Sequence, residues 1–265
     1  MSLLRSAEGS RRASVSADEL SPDPPVADED ALQVLANAAI EIQGRMPWSS
    51  NATFLVDLCV DGEISAHAIY KPERGERPLW DFPSGLYRRE VAAYRLWVAT
   101  GWAEIVGGGV PPTIVRHDAP YDTGSLQLFI PSDFEQHYFT ILEQREDLHL
   151  ALQAMCAFDL LANNTDRKGG HCLLGLDGNI WGIDHGLCFA AEFKLRTVIW
   201  DFAGEDVPLE LRPAVERLAH EIPPDIVELL DDDEVDALSA RAARLVATGR
   251  FPTDPSGRRY PWPMV

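Results

Sequence analysis

Asp166, His171 and Asp184 stand on either side of a turn signal, Asp177-Gly178. A carboxylate can take a proton from a hydroxyl. An imidazole beside a carboxylate can bind a divalent cation. The flanking runs, His171 to Leu176 and Asn179 to Asp184, read as the strands of a hairpin. A two-residue turn would set His171 directly opposite Asp184, with Cβ atoms roughly 4.5–5.5 Å apart. Asp166 lies in the polar loop that runs from Asn163 to Gly170, beside that pair. The plainer alternative is an Asx-capped loop next to a surface His–Asp pair.

A second group lies nearer the N-terminus. Phe54 to Val60 and Ile64 to Tyr70 read as strands joined at Asp61-Gly62, a strong hairpin signal. A two-residue turn places Lys71 opposite Ala52, at the mouth of Ser49-Ser50-Asn51. Such a loop offers backbone N–H and hydroxyl groups to phosphate oxygens, with the lysine as a point charge. A lysine at a strand end can also be merely solvated. Glu90 sharpens the choice. The helix predicted from Leu86 to Ala99 has an apolar stripe of Tyr87, Val91, Tyr94, Trp97 and Val98, and Glu90 sits within it. An acid on a buried face needs a cation. Lys71 serves better than Arg88 or Arg89. A strand lysine tied to a helix glutamate is how kinases hold ATP phosphates. A glutamate at the stripe's edge, reaching solvent, is the alternative.

These groups need elements to position them. Ala31 to Ile42 reads as a short amphipathic helix, Val110 to Val115 and Ser125 to Ile130 as strands, and Asp147 to Ala162 as a long helix. From Leu209 onward the chain reads as helical, with Asp231-Asp232-Asp233-Glu234 as a solvated helix start. Strands first and helices after predict an α+β protein of two lobes, a small, mainly β N-lobe and a reduced helical C-lobe. Residues 1–30, rich in Ser, Pro, Asp and Glu, are expected to form a disordered tail. Residues 31–265 are expected to form a single domain, with the N-lobe over about 31–130 and the C-lobe over about 131–265.

Composition narrows the partners. The chain has 265 residues, 46% apolar, and a net charge of -19. Such a charge disfavours nucleic acid and anionic lipid headgroups. Its four cysteines form no C-x-x-C pair, which fits a reducing, cytoplasmic setting. No run approaches the roughly 20 apolar residues of a membrane span. No stable membrane association is expected.

Several segments resemble the phosphatidylinositol 3-/4-kinase group, above all the type II phosphatidylinositol 4-kinases. Ser49-Ser50-Asn51-Ala52-Thr53-Phe54 is similar to that family's phosphate loop, Tyr70-Lys71-Pro72 to its Phe-Lys-Pro, and Arg89-Glu90-Val91-Ala92-Ala93-Tyr94 to its helix. Gly124 to Ile130 resembles the hinge, Asn164-Thr165-Asp166-Arg167 the catalytic loop, and Ile183-Asp184-His185-Gly186 the metal motif. The chain also looks like small kinase-like proteins of actinobacteria. The resemblance implies a two-lobed protein-kinase-like fold that uses ATP with Mg²⁺ or Mn²⁺. Lys71 would contact phosphate, Glu90 would hold it, and the backbone of Gln127 and Ile130 would bind adenine. Asp166, with Arg167 beside it, would be catalytic. Asp184 would be the main metal ligand, and His171 falls where the family has a metal-binding Asn. The palmitoylated cysteine stretch is missing, and Lys194 and Arg196 make a thin cationic patch for a lipid headgroup. The expected function is therefore an ATP-dependent phosphotransferase acting on a protein or soluble small-molecule hydroxyl. A nucleotide-binding pseudokinase scaffold, a lipid kinase and a transferase of AMP are the alternatives.

Overall fold

The computed structural model describes residues 28–46 and 51–265. It opens with α1 (Asp28–Asn37), whose first turn holds Asp28, Glu29 and Asp30, where the helix dipole favours negative charge. The helix expected to reach Ile42 ends early, and Ala39–Arg45 is strand β1 instead. Ile40 and Ile42 alternate with Glu41 and Gln43, and that period of two decides the local structure.

β2 (Phe54–Val60) and β3 (Glu63–Pro72) form the expected hairpin. Asp61 and Gly62 both have positive φ, 52° and 84°, as a two-residue type I′ turn requires. The register starts with Val60 opposite Glu63 and Cys59 opposite Ile64. A bulge at Ser65 then moves Leu58 opposite Ala66, a shift kept through Phe54 opposite Tyr70. Lys71 is thereby displaced by one place, towards Thr53 rather than Ala52, because the bulge absorbs one residue of β3.

After β3 the chain leaves the sheet for α2 (Leu86–Thr100) and the single turn α3 (Ala103–Val106). It returns as β4 (Thr113–Arg116) and β5 (Gly124–Leu128). The antiparallel sheet has the order β1-β2-β3-β5-β4. The helical part follows: β6 (Ser132–Asp133), α4 (Tyr138–Gln144), α5 (His149–Ala162), β7 (Cys172–Gly175), β8 (Ile180–Gly182), α6 (Arg212–His220), α7 (Pro224–Val227) and α8 (Asp232–Thr248). The small strands form a second sheet, β6-β7-β8. The architecture is α+β, sheet first and helices after, as the sequence pattern requires. Among the described residues, no helix is long and apolar enough to cross a membrane.

Two apolar clusters hold these parts. Leu35, Val56, Leu58, Tyr70, Leu126 and Leu128 lie under the sheet. Tyr94, Leu96 and Trp97 of α2 pack instead with Leu152, Phe158, Leu218 and Leu238 of the helices. Thus α2 hangs between the sheet and the helical part but is built into the helical core.

The β7–β8 hairpin departs from its expected register. Its turn has three residues, Leu176-Asp177-Gly178, closed by the Gly175 N–H donating to the Asn179 carbonyl at 2.9 Å. Cys172 therefore pairs with Gly182, and the Ile183 N–H donates to the His171 carbonyl at 3.0 Å. His171 faces Ile183, not Asp184. At the start of α8, Asp231 to Asp233 are exposed as expected, whereas Glu234 is buried.

Candidate active site

Lys71 leaves the end of β3 and reaches two acids. Its ammonium bonds Glu90 Oε1 of α2 and, at 2.9 Å, Asp184 Oδ1 beyond β8. Glu90 is 3% exposed and Lys71 is 20% exposed. Burial opposes the lysine's charge, but Asp184 and Glu90 outweigh it and hold the ammonium above the ordinary lysine range. Lys71 in turn holds the Asp184 carboxyl well below the usual carboxylate range. The second Glu90 oxygen accepts the His185 N–H at 2.9 Å. One carboxylate thus ties α2 to both the sheet and the segment after β8.

Asp184 adopts a left-handed backbone, φ 62°, uncommon for a residue with a Cβ. That twist turns its carboxylate back towards His171 despite the altered register. His171 Nε2 lies 3.6 Å from Asp184 Oδ2, beyond hydrogen-bond length. The expected approach of these two side chains is present, but it arises from backbone twist rather than cross-strand pairing. His171 Nδ1 accepts a long bond, 3.5 Å, from the Lys168 N–H, which leaves the imidazole proton on Nε2. Burial lowers the His171 pKa to about 4, so the ring stays neutral where an ordinary imidazole begins to protonate. A divalent cation fits this pair only as a two-ligand site completed by other oxygens, with Nε2 giving up its proton. Among the described residues, no cluster of three or more His, Cys, Asp or Glu side chains is placed to hold a metal ion.

Asp166 lies on the loop after α5, beside Lys168, whose ammonium bonds its Oδ2. Its N–H donates to Asn164 Oδ1 at 3.0 Å. Burial raises its pKa, and Lys168 partly offsets that rise. Of the two carboxylates, one is therefore a better proton acceptor than usual and the other a more persistent anion. Lys168 was not singled out from sequence. Its place two residues after Asp166 was the available signal.

Arg167, expected among the catalytic residues, has a fully buried guanidinium. It bonds Asp159 at 2.9 Å, the carbonyls of His171 and Ile183 at 3.1 Å each, and His185 Nε2 at 2.8 Å. It holds the loop and presents nothing to the cleft. Asp159 also accepts Asn164 Nδ2 at 3.0 Å and the Thr197 hydroxyl at 2.9 Å. Sequence reading put Asp159 inside the long helix from Asp147 to Ala162 without giving it this role. The His185 ring is buried against Phe158 and faces away from the cleft.

Ser49 and Ser50 lie outside the described residues. Asn51 Oδ1 accepts the Arg77 N–H at 3.0 Å, and the Ala52 N–H donates to Gly75 at 3.0 Å. These bonds fasten that end of the loop to the chain beyond Lys71. Gln127, expected to offer its backbone to adenine, lies inside β5 between Ile69 of β3 and Thr113 of β4. Its side chain is buried and donates to Thr113 Oγ1 at 2.9 Å. A strand flanked on both sides has no free edge at that position. Ile130 lies past the end of β5, where the chain leaves the sheet.

No family model matches the chain. It is 38% identical over 272 residues to Protein Rv2133c of Mycobacterium tuberculosis, covering 89% of this chain and 95% of that one. The chain belongs to that protein's family. Among solved structures it is similar to hydra Fam20 with sugar, with a TM-score of 0.50 and 16% identity over 88% of this chain and 92% of that one. Two further similarities are weaker. The Golgi casein kinase has a TM-score of 0.49 and 15% identity over 83% of this chain and 73% of that one. The Helicobacter pylori proinflammatory kinase CtkA has a TM-score of 0.44 and 12% identity over 82% and 94%. The Fam20 likeness places this family's member in a kinase-like fold. At that identity the likeness concerns the fold alone.

Proposed function

We propose that the chain is an ATP-dependent phosphotransferase of the phosphatidylinositol 3-/4-kinase-like group, acting on a protein or soluble small-molecule hydroxyl. One observation carries the reading. Lys71 bridges Glu90 and Asp184, and Asp166 with Lys168 stands on the adjoining loop. In this reading Lys71 holds the ATP phosphates, with Asn51 beside them. The base lies on the Leu55–Ile69 face of the sheet and meets the chain near Ile130. Asp184, joined by His171, would hold Mg²⁺ or Mn²⁺, which would neutralise phosphate charge. Asp166 accepts the proton of the acceptor hydroxyl as its oxygen bonds the γ-phosphorus. The bond from that phosphorus to the β–γ bridging oxygen breaks, and ADP leaves. Lys168 balances the charge of the transferring group and keeps Asp166 oriented.

The acceptor follows from charge. Lys194 is engaged by Asp81 and Glu192, each at 3.7 Å, so it is poorly placed to serve an anionic headgroup. With a net charge of -19, this favours a non-lipid acceptor. Cys59, Cys156, Cys172 and Cys188 are all free thiols, in keeping with a cytoplasmic setting. A pseudokinase scaffold is the second reading, favoured because, among the described residues, Asp184 and His171 do not belong to any cluster of three or more metal-ligating side chains. ATP labelled at the γ- or α-phosphate, incubated with lysate and Mg²⁺ or Mn²⁺, separates these. Transfer of γ-label to a non-lipid acceptor is expected. Transfer of α-label alone would indicate AMP transfer. No transfer, with a Mg-ATP-dependent rise in melting temperature, would indicate the scaffold.

A further inference from the structure

Glu90 is held by both Lys71 and the His185 N–H, and its neighbour Arg89 bonds elsewhere, to α8. Arg89 is 2% exposed, and its guanidinium bonds Glu234 Oε1 in the first turn of α8. Glu234 is itself held, since its other oxygen accepts the Asp231 N–H at 3.1 Å. The helix that carries Glu90 is thereby pinned to the last helix of the helical core. Three further bonds act in the same sense. Glu76 accepts the N–H groups of Gly85 and Tyr87 at 2.9 and 2.8 Å, and Arg217 reaches the Thr100 carbonyl at 3.3 Å.

Those other bonds hold the two ends of α2, and Arg89, in its first turn, is the side chain beside Glu90 that ties the helix to α8. Arg89 and Glu90 are successive residues, about 100° apart around the helix. A pair that fixes one therefore fixes the direction of the other. A buried ion pair contributes little net stability over an apolar pair of the same shape, but it fixes one geometry. We propose that Arg89 and Glu234 form a positioning pair that sets the rotation of α2. Through Glu90 it places Lys71 for nucleotide. Arg89 touches neither Lys71 nor Asp184, so its effect passes through Glu90. The inference rests on the nucleotide-binding reading of the cleft.

The test is Mg-ATP affinity by calorimetry on the full chain. It uses Arg89→Lys and Glu234→Gln, each alone and in a Glu90→Gln background, at a temperature where every variant keeps the wild-type circular dichroism. With Glu90 present, each substitution should weaken Mg-ATP by about tenfold. With Glu90 already replaced, neither should weaken it further. Equal weakening in both backgrounds, or none in either, overturns the positioning role. Should the single variants not fold, the apolar pair Arg89→Met with Glu234→Leu replaces them. It should match wild-type stability and still bind Mg-ATP more weakly, and wild-type affinity there also overturns the proposal. If the wild-type chain itself binds no Mg-ATP, the nucleotide reading falls and the positioning pair with it. That outcome is distinct from the others.

Discussion

On the helical wall of the cleft, the loop that carries Asp166 is fastened by a fully buried ion pair, Asp159 with Arg167. Asn164 and Thr197 bond the same carboxylate. On the sheet wall, Lys71 reaches across with one ammonium that is partly open to water. The first wall is fixed by groups that never meet solvent, and the second by a group that must remain available. The difference separates residues that build the cleft from residues that would work in it, although both kinds are charged and lie close in sequence.

The comparison breaks most completely at Arg167. Arg167→Ala would leave Asp159 buried without its cation, a loss of about 3–5 kcal/mol. A fall of roughly 10 °C in melting temperature is expected, measurable by calorimetry. Lys71→Met should cost less, because Glu90 keeps the His185 N–H and Asp184 is half exposed. It should instead abolish the rise in melting temperature caused by Mg-ATP. A larger stability loss at Lys71 than at Arg167 would reverse the assignment.

The two carboxylates sharpen the contrast next. Asp166→Asn should keep Mg-ATP binding and lower turnover by about a hundred- to ten-thousand-fold. Asp184→Asn should lose metal-dependent binding. Equal binding loss in both would show that their roles are not separate.

A stability effect of comparable size concerns pH. An unfolded imidazole binds its proton near about 6.5, whereas folded His171 does so only at about 4. Burial and Arg167 push His185 below the ordinary range as well. Between those values the unfolded chain binds more protons, so stability falls as pH falls. The slope is about 1.4 kcal/mol per pH unit for each buried imidazole. Urea midpoints of the metal-free protein at pH 7 and 5 measure it, and equal midpoints would mean that both rings are open to water. The smallest effect is expected for His171→Asn, which should move the Mn²⁺/Mg²⁺ preference with little change in stability. An unchanged preference would remove His171 from the metal site.

Local signals carried much of this into the sequence. Asp61-Gly62 predicts its turn because both positions need positive φ, and Glu90 betrays its burial by standing among Tyr94 and Trp97. Register was harder. A bulge at Ser65 and a three-residue turn at Asp177 each shift pairing by one place, and both depend on backbone geometry that composition leaves open. The His171–Asp184 approach was foreseen for the wrong reason, since the left-handed twist at Asp184 has no signature in its residue type. Gln127 was expected at adenine only through the family resemblance, and a single strand does not announce neighbours on both sides. Glu234 looked solvated because its three acidic neighbours are, and its partner Arg89 is too distant in sequence for any periodic pattern to reveal.

That distance has a consequence for how the protein comes to exist. Arg89 and Glu234 are separated by 145 positions. At about 5–20 residues per second, Arg89 waits roughly 7 to 30 seconds during synthesis before its partner is made. Within that interval β4 and β5 are made and the sheet can close, while α2 still lacks α8 and most of its apolar neighbours. The nascent chain therefore carries a finished wall and an unfinished helix, and exposes the Tyr94 and Trp97 face to whatever binds apolar surfaces. Completion of the cleft therefore waits for α8.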